Sequence, residues 1–148
     1  MPYPYPGEIF SKRHAFTAQD IADFAARAGD WNPLHHDPDS AARTRFGGLI
    51  ASGAHTTALL MGLAAAHLSD GNDTAGLEFS FRLRRALPAG TEAILSWRIT
   101  AVEPSEKLGG DLVSFSGEIT DDTGRRYVTS EGRAVVWPKA AAEKVSKE

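Results

Sequence analysis

The segment from Gly53 to Leu68 decides the fold, and it reads GAHTTALLMGLAAAHL. Apolar residues fall on nearly every face of the helix that this segment would form, and a helix that is apolar all round is normally buried. At a rise of about 1.5 Å per residue, such a helix is about 24 Å long, enough to cross a small domain. The sequence therefore predicts one central helix that the rest of the chain must cover.

The segments that pack on this helix are predicted to form a β-sheet. Apolar and polar residues alternate, or β-forming residues accumulate, over residues 8–16, 77–83, 93–102, 113–119 and 127–137. Turns are indicated by Gly90, by the pair Gly109-Gly110 and by Thr123-Gly124, at spacings consistent with antiparallel hairpins. The predicted architecture is α+β: one antiparallel sheet wrapped around one buried helix.

The first half of the chain contains shorter elements. Thr17 to Asp20 resembles a capping box with aspartate in the glutamate position, and Gly29 is placed to end the helix that follows. A second short helix is predicted over residues 39–45. Residues 1–7 are expected to form an extended lead-in and residues 138–148 a flexible tail, and the whole chain, residues 1–148, is expected to be a single domain.

Composition excludes several classes of function. The chain has no cysteine, which rules out thiol catalysis, thiolate metal sites and disulfides. A net charge of −3 argues against a nucleic-acid-binding protein. No apolar run reaches the 18 or so residues of a membrane span, and no signal peptide is recognisable at the N-terminus. A soluble protein of the cytoplasm is the expectation.

The ionisable groups of interest lie between Asp30 and His35, in a segment predicted to be an irregular loop outside the core. Asp30 follows a predicted helix C-terminus, where the helix dipole disfavours a carboxylate, so a structural role explains it poorly. Pro33 stiffens the segment, and a carboxylate and an imidazole that converge on one point can hold and activate a water molecule. The alternative from spacing alone is that Asp30 caps a turn and His35 packs in the loop.

Three motifs carry a resemblance to a known family. They are Ala28-Gly-Asp30-Trp-Asn32-Pro33-Leu-His35 followed by Asp37-Pro38, then Phe46-Gly-Gly-Leu-Ile50-Ala-Ser-Gly53-Ala-His55, and Phe81-Arg-Leu-Arg-Arg-Ala-Leu-Pro-Ala-Gly90. Together they resemble the MaoC-like dehydratases, the (R)-specific enoyl-CoA hydratases, over about residues 8–137. The third motif departs from the family pattern, which commonly has proline at the position of Ala86 and aspartate at that of Thr91.

The resemblance implies a hot-dog fold and the interconversion of 2-enoyl-CoA and (R)-3-hydroxyacyl-CoA. It implies that Asp30 and His35 are the catalytic pair and that the Gly53 N–H is directed at the thioester oxygen. Asn32, counted among the substrate-binding residues, would brace their loop or hydrogen-bond the pair. A helix N-terminus favours the negative charge that develops on that oxygen. The resemblance further implies an acyl-CoA or acyl-carrier-protein thioester as partner and a homodimer or higher homo-oligomer, since hot-dog relatives pair their sheets edge to edge.

Further substrate-binding candidates each have a structural alternative. Trp31 and Phe46 could wall an acyl pocket or pack in the core. Ser52 and His55, next to Gly53, could touch substrate, or cap and pack the helix. Arg84, within the cluster Arg82, Arg84 and Arg85, could meet coenzyme A phosphates or lie on a solvated strand face. No metal site and no cofactor are predicted, because His35-His36-Asp37 lacks further ligands at a diagnostic spacing.

The residues of the predicted site are also compatible with two other functions. One is thioester hydrolysis on the same fold, and the other is a non-catalytic acyl-CoA-binding subunit that completes the site of a partner. The sequence leaves open the acyl chain length, the choice between coenzyme A and acyl carrier protein, and the direction of the reaction.

Overall fold

The computed structural model describes residues 3–139. The elements in chain order are β1 (Ile9–Phe16), α1 (Ala18–Arg27), a 3₁₀ turn (Pro33–His35), α2 (Pro38–Ala42), α3 (Gly53–Leu68), β2 (Asn72–Leu83), β3 (Thr91–Ser105), β4 (Gly110–Thr120) and β5 (Arg126–Pro138). Residues 140–148, most of the predicted flexible tail, lie outside the described residues, as do Met1 and Pro2.

The five strands form one antiparallel sheet in the order β1-β3-β4-β5-β2. Helix α3 spans the predicted residues and contacts all five strands. The prediction of a sheet wrapped around one long helix is therefore confirmed. No helix among residues 3–139 combines the length and the apolar character needed to span a membrane.

One predicted turn is not a hairpin. Strands β3 and β4 are joined at Gly109, and β4 and β5 are joined at Gly124, as the turn residues predicted. Gly90, however, lies between β2 and β3, which are not neighbours, because β2 pairs with β5 and β3 pairs with β1 and β4. Residues 84–90 instead run alongside residues 49–51, where the Ala51 N–H donates to Leu87 O at 2.9 Å. The pairing of strands depends on long-range contacts that local alternation does not encode.

The core lies between the sheet and α3, and Trp97 of β3 is its largest fully buried side chain. The Trp97 indole N–H donates to the Leu60 carbonyl of α3 at 2.9 Å. Gly117 on β4 leaves the room for the ring, because a Cβ at that position would lie 2.5–2.7 Å from ring atoms of Trp97. Helix and sheet are thus joined by both packing and a hydrogen bond.

The expectation that α3 is buried on every side is wrong for the single chain. Its inner face, which includes Leu60, Ala64 and Leu68, is buried, but Met61 on the outer face is 42% exposed. Ala54, Gly62, Ala65 and Ala66 are exposed on that helix as well. The outer face of α3 is therefore an apolar surface that residues 3–139 leave uncovered.

The capping box predicted at the start of α1 is confirmed only in part. Thr17 is the N-cap and its hydroxyl accepts the Asp20 N–H at 3.0 Å, as predicted. The Asp20 carboxylate does not return to the Thr17 N–H as in a full capping box; it contacts His14 and His55 instead. The second predicted helix, α2, runs from Pro38 to Ala42 instead of over residues 39–45, and Asp37 is its N-cap.

Candidate active site

Asp30 is held by the end of α1. Gly29 adopts a positive φ of 75°, and its N–H donates to Ala26 O while the Asp30 N–H donates to Ala25 O at 2.8 Å. These two bonds form a Schellman motif, for which glycine is the preferred residue at the left-handed position. The Asp30 side chain then bonds to the segment that follows it, because its Oδ1 accepts the Asn32 N–H at 3.1 Å. The other oxygen, Oδ2, is left to face His35.

His35 is held by the 3₁₀ turn and by a carbonyl from the next segment. Asn32 caps the turn, since its Oδ1 accepts the Leu34 N–H at 3.1 Å. The His35 Nδ1 lies 2.7 Å from Ile50 O. A carbonyl oxygen can only accept, so Nδ1 carries the proton, and in the neutral ring the lone pair is on Nε2.

The Nε2 of His35 and the Oδ2 of Asp30 are 3.4 Å apart. This separation exceeds the 2.7–2.9 Å or so of a charge-assisted hydrogen bond. Two acceptors that face each other in this way can each take one hydrogen of a single water molecule, which leaves the water oxygen free to react. The predicted convergence of these two side chains is therefore what the structure shows.

The prediction that both residues lie on a loop outside the core is wrong for His35. Only 5% of His35 is exposed, whereas the Asp30 side chain is about one-third exposed. The bond to Ile50 O draws the imidazole inward, and the Ile50 N–H returns a bond to Leu34 O at 3.1 Å. His35 therefore joins the 3₁₀ turn to the segment that leads into α3.

A cavity of about 330 Å³ adjoins His35. Among the residues predicted for the site, it brings together Asn32, His35, Phe46, Gly53 and Arg84. Asp30 lies outside this lining, and so do Trp31, Ser52 and His55. The remainder of the wall is mostly apolar and comes from several elements: Leu34, Ile50, Ala51, Thr56, Leu83, Arg85, Ala86, Leu87 and Val128.

Gly53 is the first residue of α3 and lies in the wall of this cavity. Within residues 3–139 no backbone or side-chain acceptor takes its N–H, as expected for the first turn of a helix. A Cβ at this position would lie 2.6 Å from Leu83 Cδ1. Glycine therefore keeps both the N–H accessible and the Leu83 side chain in place.

The two arginines of the cavity wall lie on residues 84–90, the segment that joins β2 to β3. The Arg84 and Arg85 N–H groups both donate to Tyr127 O, and the Arg84 Nε donates to Thr129 Oγ1 at 2.7 Å. Arg82 is not part of the wall. The cluster thus divides, and two of its three arginines contribute to the wall of the cavity.

Three predicted substrate-binding residues lie outside the cavity wall and make contacts elsewhere in the chain. Trp31 is 69% exposed and stacks on His36, with ring centroids 4.9 Å apart. Ser52 is buried and is the N-cap of α3, because its Oγ accepts the His55 N–H at 3.1 Å. His55 is buried against Phe24, so it points toward α1 rather than into the cavity.

The lining residues that sequence reasoning missed include Leu83, Leu87 and Val128, whereas Arg85 was expected as part of the arginine cluster. Leu87 belongs to the segment in which Gly90 predicted a hairpin turn, and Val128 reaches the cavity because β5 pairs with β2. The alternation of β2 could have placed Leu83 on the inner face of the sheet, but not beside Gly53.

Comparison with known proteins identifies relatives along most of the chain. The MaoC-like domain model matches residues 7–104. The (R)-specific enoyl-CoA hydratase of Aeromonas caviae is 35% identical over 99 residues, which cover 66% of this chain and 71% of that enzyme. A mitochondrial 3-hydroxyacyl-[acyl-carrier-protein] dehydratase of Arabidopsis thaliana is 31% identical over 61 residues, which span only 37% of its length.

Solved structures extend the likeness to the fold. The (R)-hydratase from A. caviae involved in PHA biosynthesis superposes with a TM-score of 0.79 at 27% identity, covering 89% of this chain and 96% of that one. The MaoC-like dehydratase from Rhodospirillum rubrum gives a TM-score of 0.77 at 27% identity, covering 92% and 94%. The sheet wrapped around α3 is therefore the hot-dog fold.

Proposed function

The chain belongs to the MaoC-like domain family, and on this basis we propose that it adds water to 2-enoyl thioesters and forms (R)-3-hydroxyacyl thioesters, and also catalyses the reverse reaction. The observation that carries the proposal is the facing pair of Asp30 Oδ2 and His35 Nε2, 3.4 Å apart beside a cavity of about 330 Å³. The names of the hydratase and dehydratase relatives support the same class of reaction.

In the proposed mechanism the pair activates one water molecule. The water oxygen forms a bond to C3 of the enoyl group as its proton passes to the Asp30–His35 pair. The C2–C3 π electrons move toward the thioester, and negative charge develops on the thioester oxygen. The C2 carbon then takes a proton from the same pair, so the proton lost by water is the proton gained by carbon. Dehydration follows these steps in reverse.

The Gly53 N–H is assigned the role of stabilising the negative charge on the thioester oxygen. This group is without an acceptor among residues 3–139 and lies at the positive end of the α3 dipole. A fixed N–H directed at a developing oxyanion stabilises the transition state without having to reorient. The mechanism therefore draws on backbone polarity and calls for neither a metal ion nor an organic cofactor.

The thioester carrier is assigned to the side of the cavity that holds Arg84 and Arg85. Their guanidinium groups would meet the phosphates of coenzyme A or of the prosthetic arm of acyl carrier protein. The acyl chain would lie against the apolar wall formed by Phe46, Leu83 and Leu87. A cytoplasmic location belongs to the same proposal, since a chain without cysteine suits a reducing compartment.

The assay for this proposal follows the absorbance of the enoyl thioester across acyl chain lengths, together with the release of free thiol. Hydration removes the conjugated double bond and leaves the thioester intact. The proposal expects absorbance to fall without thiol release. Thiol release would favour the thioesterase alternative, and binding without turnover would favour the non-catalytic subunit.

The uncovered apolar residues support a homodimer or a dimer of dimers. Leu77 and Leu83 on the edge strand β2 are 48% and 60% exposed, and Met61 is exposed on the neighbouring helix α3. An exposed strand edge beside apolar surface is a site for pairing with another chain. A second copy placed on β2 and α3 would cover all three side chains.

We expect sedimentation equilibrium at micromolar concentration to show an assembly of at least two 15.9 kDa chains. Leu77→Lys introduces a charge on the β2 edge and should shift the equilibrium toward the monomer, whereas Lys12→Glu on the opposite edge strand, β1, should not. Wild-type protein that sediments only as a 15.9 kDa species would contradict the expectation.

A further inference from the structure

We propose that His14, Asp20 and His55 form a binding site for a divalent transition-metal ion of the Zn²⁺ type. These three side chains, called here the His14 cluster, come from β1, α1 and α3. One nitrogen of each histidine and one oxygen of Asp20 lie within 4.8 Å of one another, and no other group of three such side chains does so within residues 3–139. The cluster shares no residue with the Asp30–His35 pair, and the proposal does not rest on the proposed function.

One pair of ligand atoms already has the spacing that a metal requires, and the other pair is shorter. With metal–ligand bonds of about 2.0–2.2 Å, the ligand atoms of a tetrahedral zinc site lie about 3.4 Å apart. The Asp20 Oδ2 is 3.4 Å from the His55 Nε2, a separation that is too long for a strong hydrogen bond. The same oxygen is 2.6 Å from the His14 Nε2, so His14 must withdraw by about 0.8 Å to reach the tetrahedral spacing.

The His55 ring is held in the orientation that binding needs. It stacks on Phe24, with ring centroids 4.5 Å apart and planes within 8°, and Phe16 meets it edge-on at 5.0 Å. These contacts direct Nε2 at Asp20 although Nδ1 is buried without a hydrogen-bond partner.

The ligand set selects the class of ion. Two imidazoles and one carboxylate suit zinc and its first-row neighbours, whereas calcium and magnesium prefer oxygen ligands. Three protein ligands leave a fourth position for water. The side chains of Asp20 and His14 are 35% and 23% exposed, which gives the ion a path from solvent on the side away from the core.

Binding would join the elements that carry the candidate active site. Asp30 follows the C-terminus of α1, and Gly53 begins α3 two residues before His55. An ion at the His14 cluster would tie both helices to β1. Because the ligands are partly assembled without the ion, we expect it to stabilise a chain that already folds rather than to be required for folding.

Titration of the chelator-treated full chain with Zn²⁺ at pH 7.5, followed by isothermal calorimetry, tests the proposal. We expect one ion per chain and, at about 100 times the dissociation constant, a rise in Tm of about 5–10 °C. Co²⁺ in place of Zn²⁺ should give the intense visible absorption of a tetrahedral site. No heat and no change in Tm up to millimolar Zn²⁺ would overturn the proposal.

Single substitutions test whether Zn²⁺ binds at the His14 cluster. His14→Gln and Asp20→Asn should each weaken Zn²⁺ binding by more than the roughly 10–100-fold lost with an outer-shell partner. His67→Gln is the matched control, because His67 also contacts a carboxylate, Glu8 at 2.7 Å, and stacks on Phe10, but has no second histidine beside it. His36→Gln controls for binding near Asp30. Binding that survives His14→Gln and Asp20→Asn, or that His36→Gln abolishes, would show that the site lies elsewhere.

Discussion

Asp30→Asn is expected to lower the turnover of an enoyl thioester by about 10²–10⁴-fold while leaving the fold intact, because that is the usual contribution of a positioned acid or base. The amide keeps the shape of the side chain, and its oxygen can still accept the Asn32 N–H that Asp30 Oδ1 accepts. It removes the negative charge and the proton acceptor that face His35 Nε2 at 3.4 Å. The chemical step is therefore lost while the Schellman motif that holds the backbone remains.

The neighbouring carboxylate provides the control. Asp37 caps α2 through its Oδ1, and asparagine is as good an N-cap as aspartate, so Asp37→Asn should leave both turnover and stability nearly unchanged. Turnover is measured by the loss of enoyl absorbance and folding by circular dichroism. Near-normal hydration by folded Asp30→Asn would remove Asp30 from the mechanism.

Trp97→Ala is expected to lower the free energy of unfolding by about 3–5 kcal/mol, the usual cost of truncating a buried aromatic side chain. Trp97 is fully buried, and its indole N–H donates to Leu60 O at 2.9 Å, so the substitution leaves a cavity and removes this hydrogen bond between sheet and helix. A cost of this size is a large part of the 5–15 kcal/mol or so that stabilises a typical domain.

Trp31→Ala is the control for Trp97→Ala. It should change the free energy of unfolding by less than about 0.5 kcal/mol, because Trp31 is 69% exposed. Urea denaturation of both variants measures the two values. Similar losses for the two substitutions, or a loss below about 1 kcal/mol for Trp97→Ala, would contradict the placement of Trp97 between the sheet and α3.

The elements of the fold were predictable because each has a local signal. The apolar run from Gly53 to Leu68 is helix α3, and Gly109 and Gly124 mark hairpins because both adopt the positive φ that glycine favours. The order of the strands was not predictable, since β2 pairs with β5 rather than with β3, the next strand along the chain, and no residue between Leu83 and Thr91 indicates this. That same connection supplies one wall of the cavity.

The candidate site was predictable where its residues lie close together in the chain. Asp30, Asn32 and His35 occupy one short capped segment, so their convergence follows from local turns. Ile50 O and Leu87 enter from distant segments and were missed. The His14 cluster was missed for the same reason, as it joins three elements and as the sequence favoured a capping role for Asp20.

Some substitutions of His35 would disturb the structure of the site as well as its chemistry. His35→Ala would leave Ile50 O without its donor inside a buried site, which adds a structural cost to the chemical one. His35→Asn keeps an N–H near the Nδ1 position and removes only the Nε2 acceptor. It is therefore the variant to combine with Asp30→Asn.

The central claim is that Asp30 and His35 act on one water molecule, and the double-variant cycle tests it most directly. Turnover is measured for Asp30→Asn, for His35→Asn and for the combination, each checked for folding by circular dichroism. If both groups serve one step, the double variant should be only slightly slower than the slower single variant, since residues that act as a unit are strongly non-additive. A double variant whose loss equals the product of the two single losses would contradict the claim.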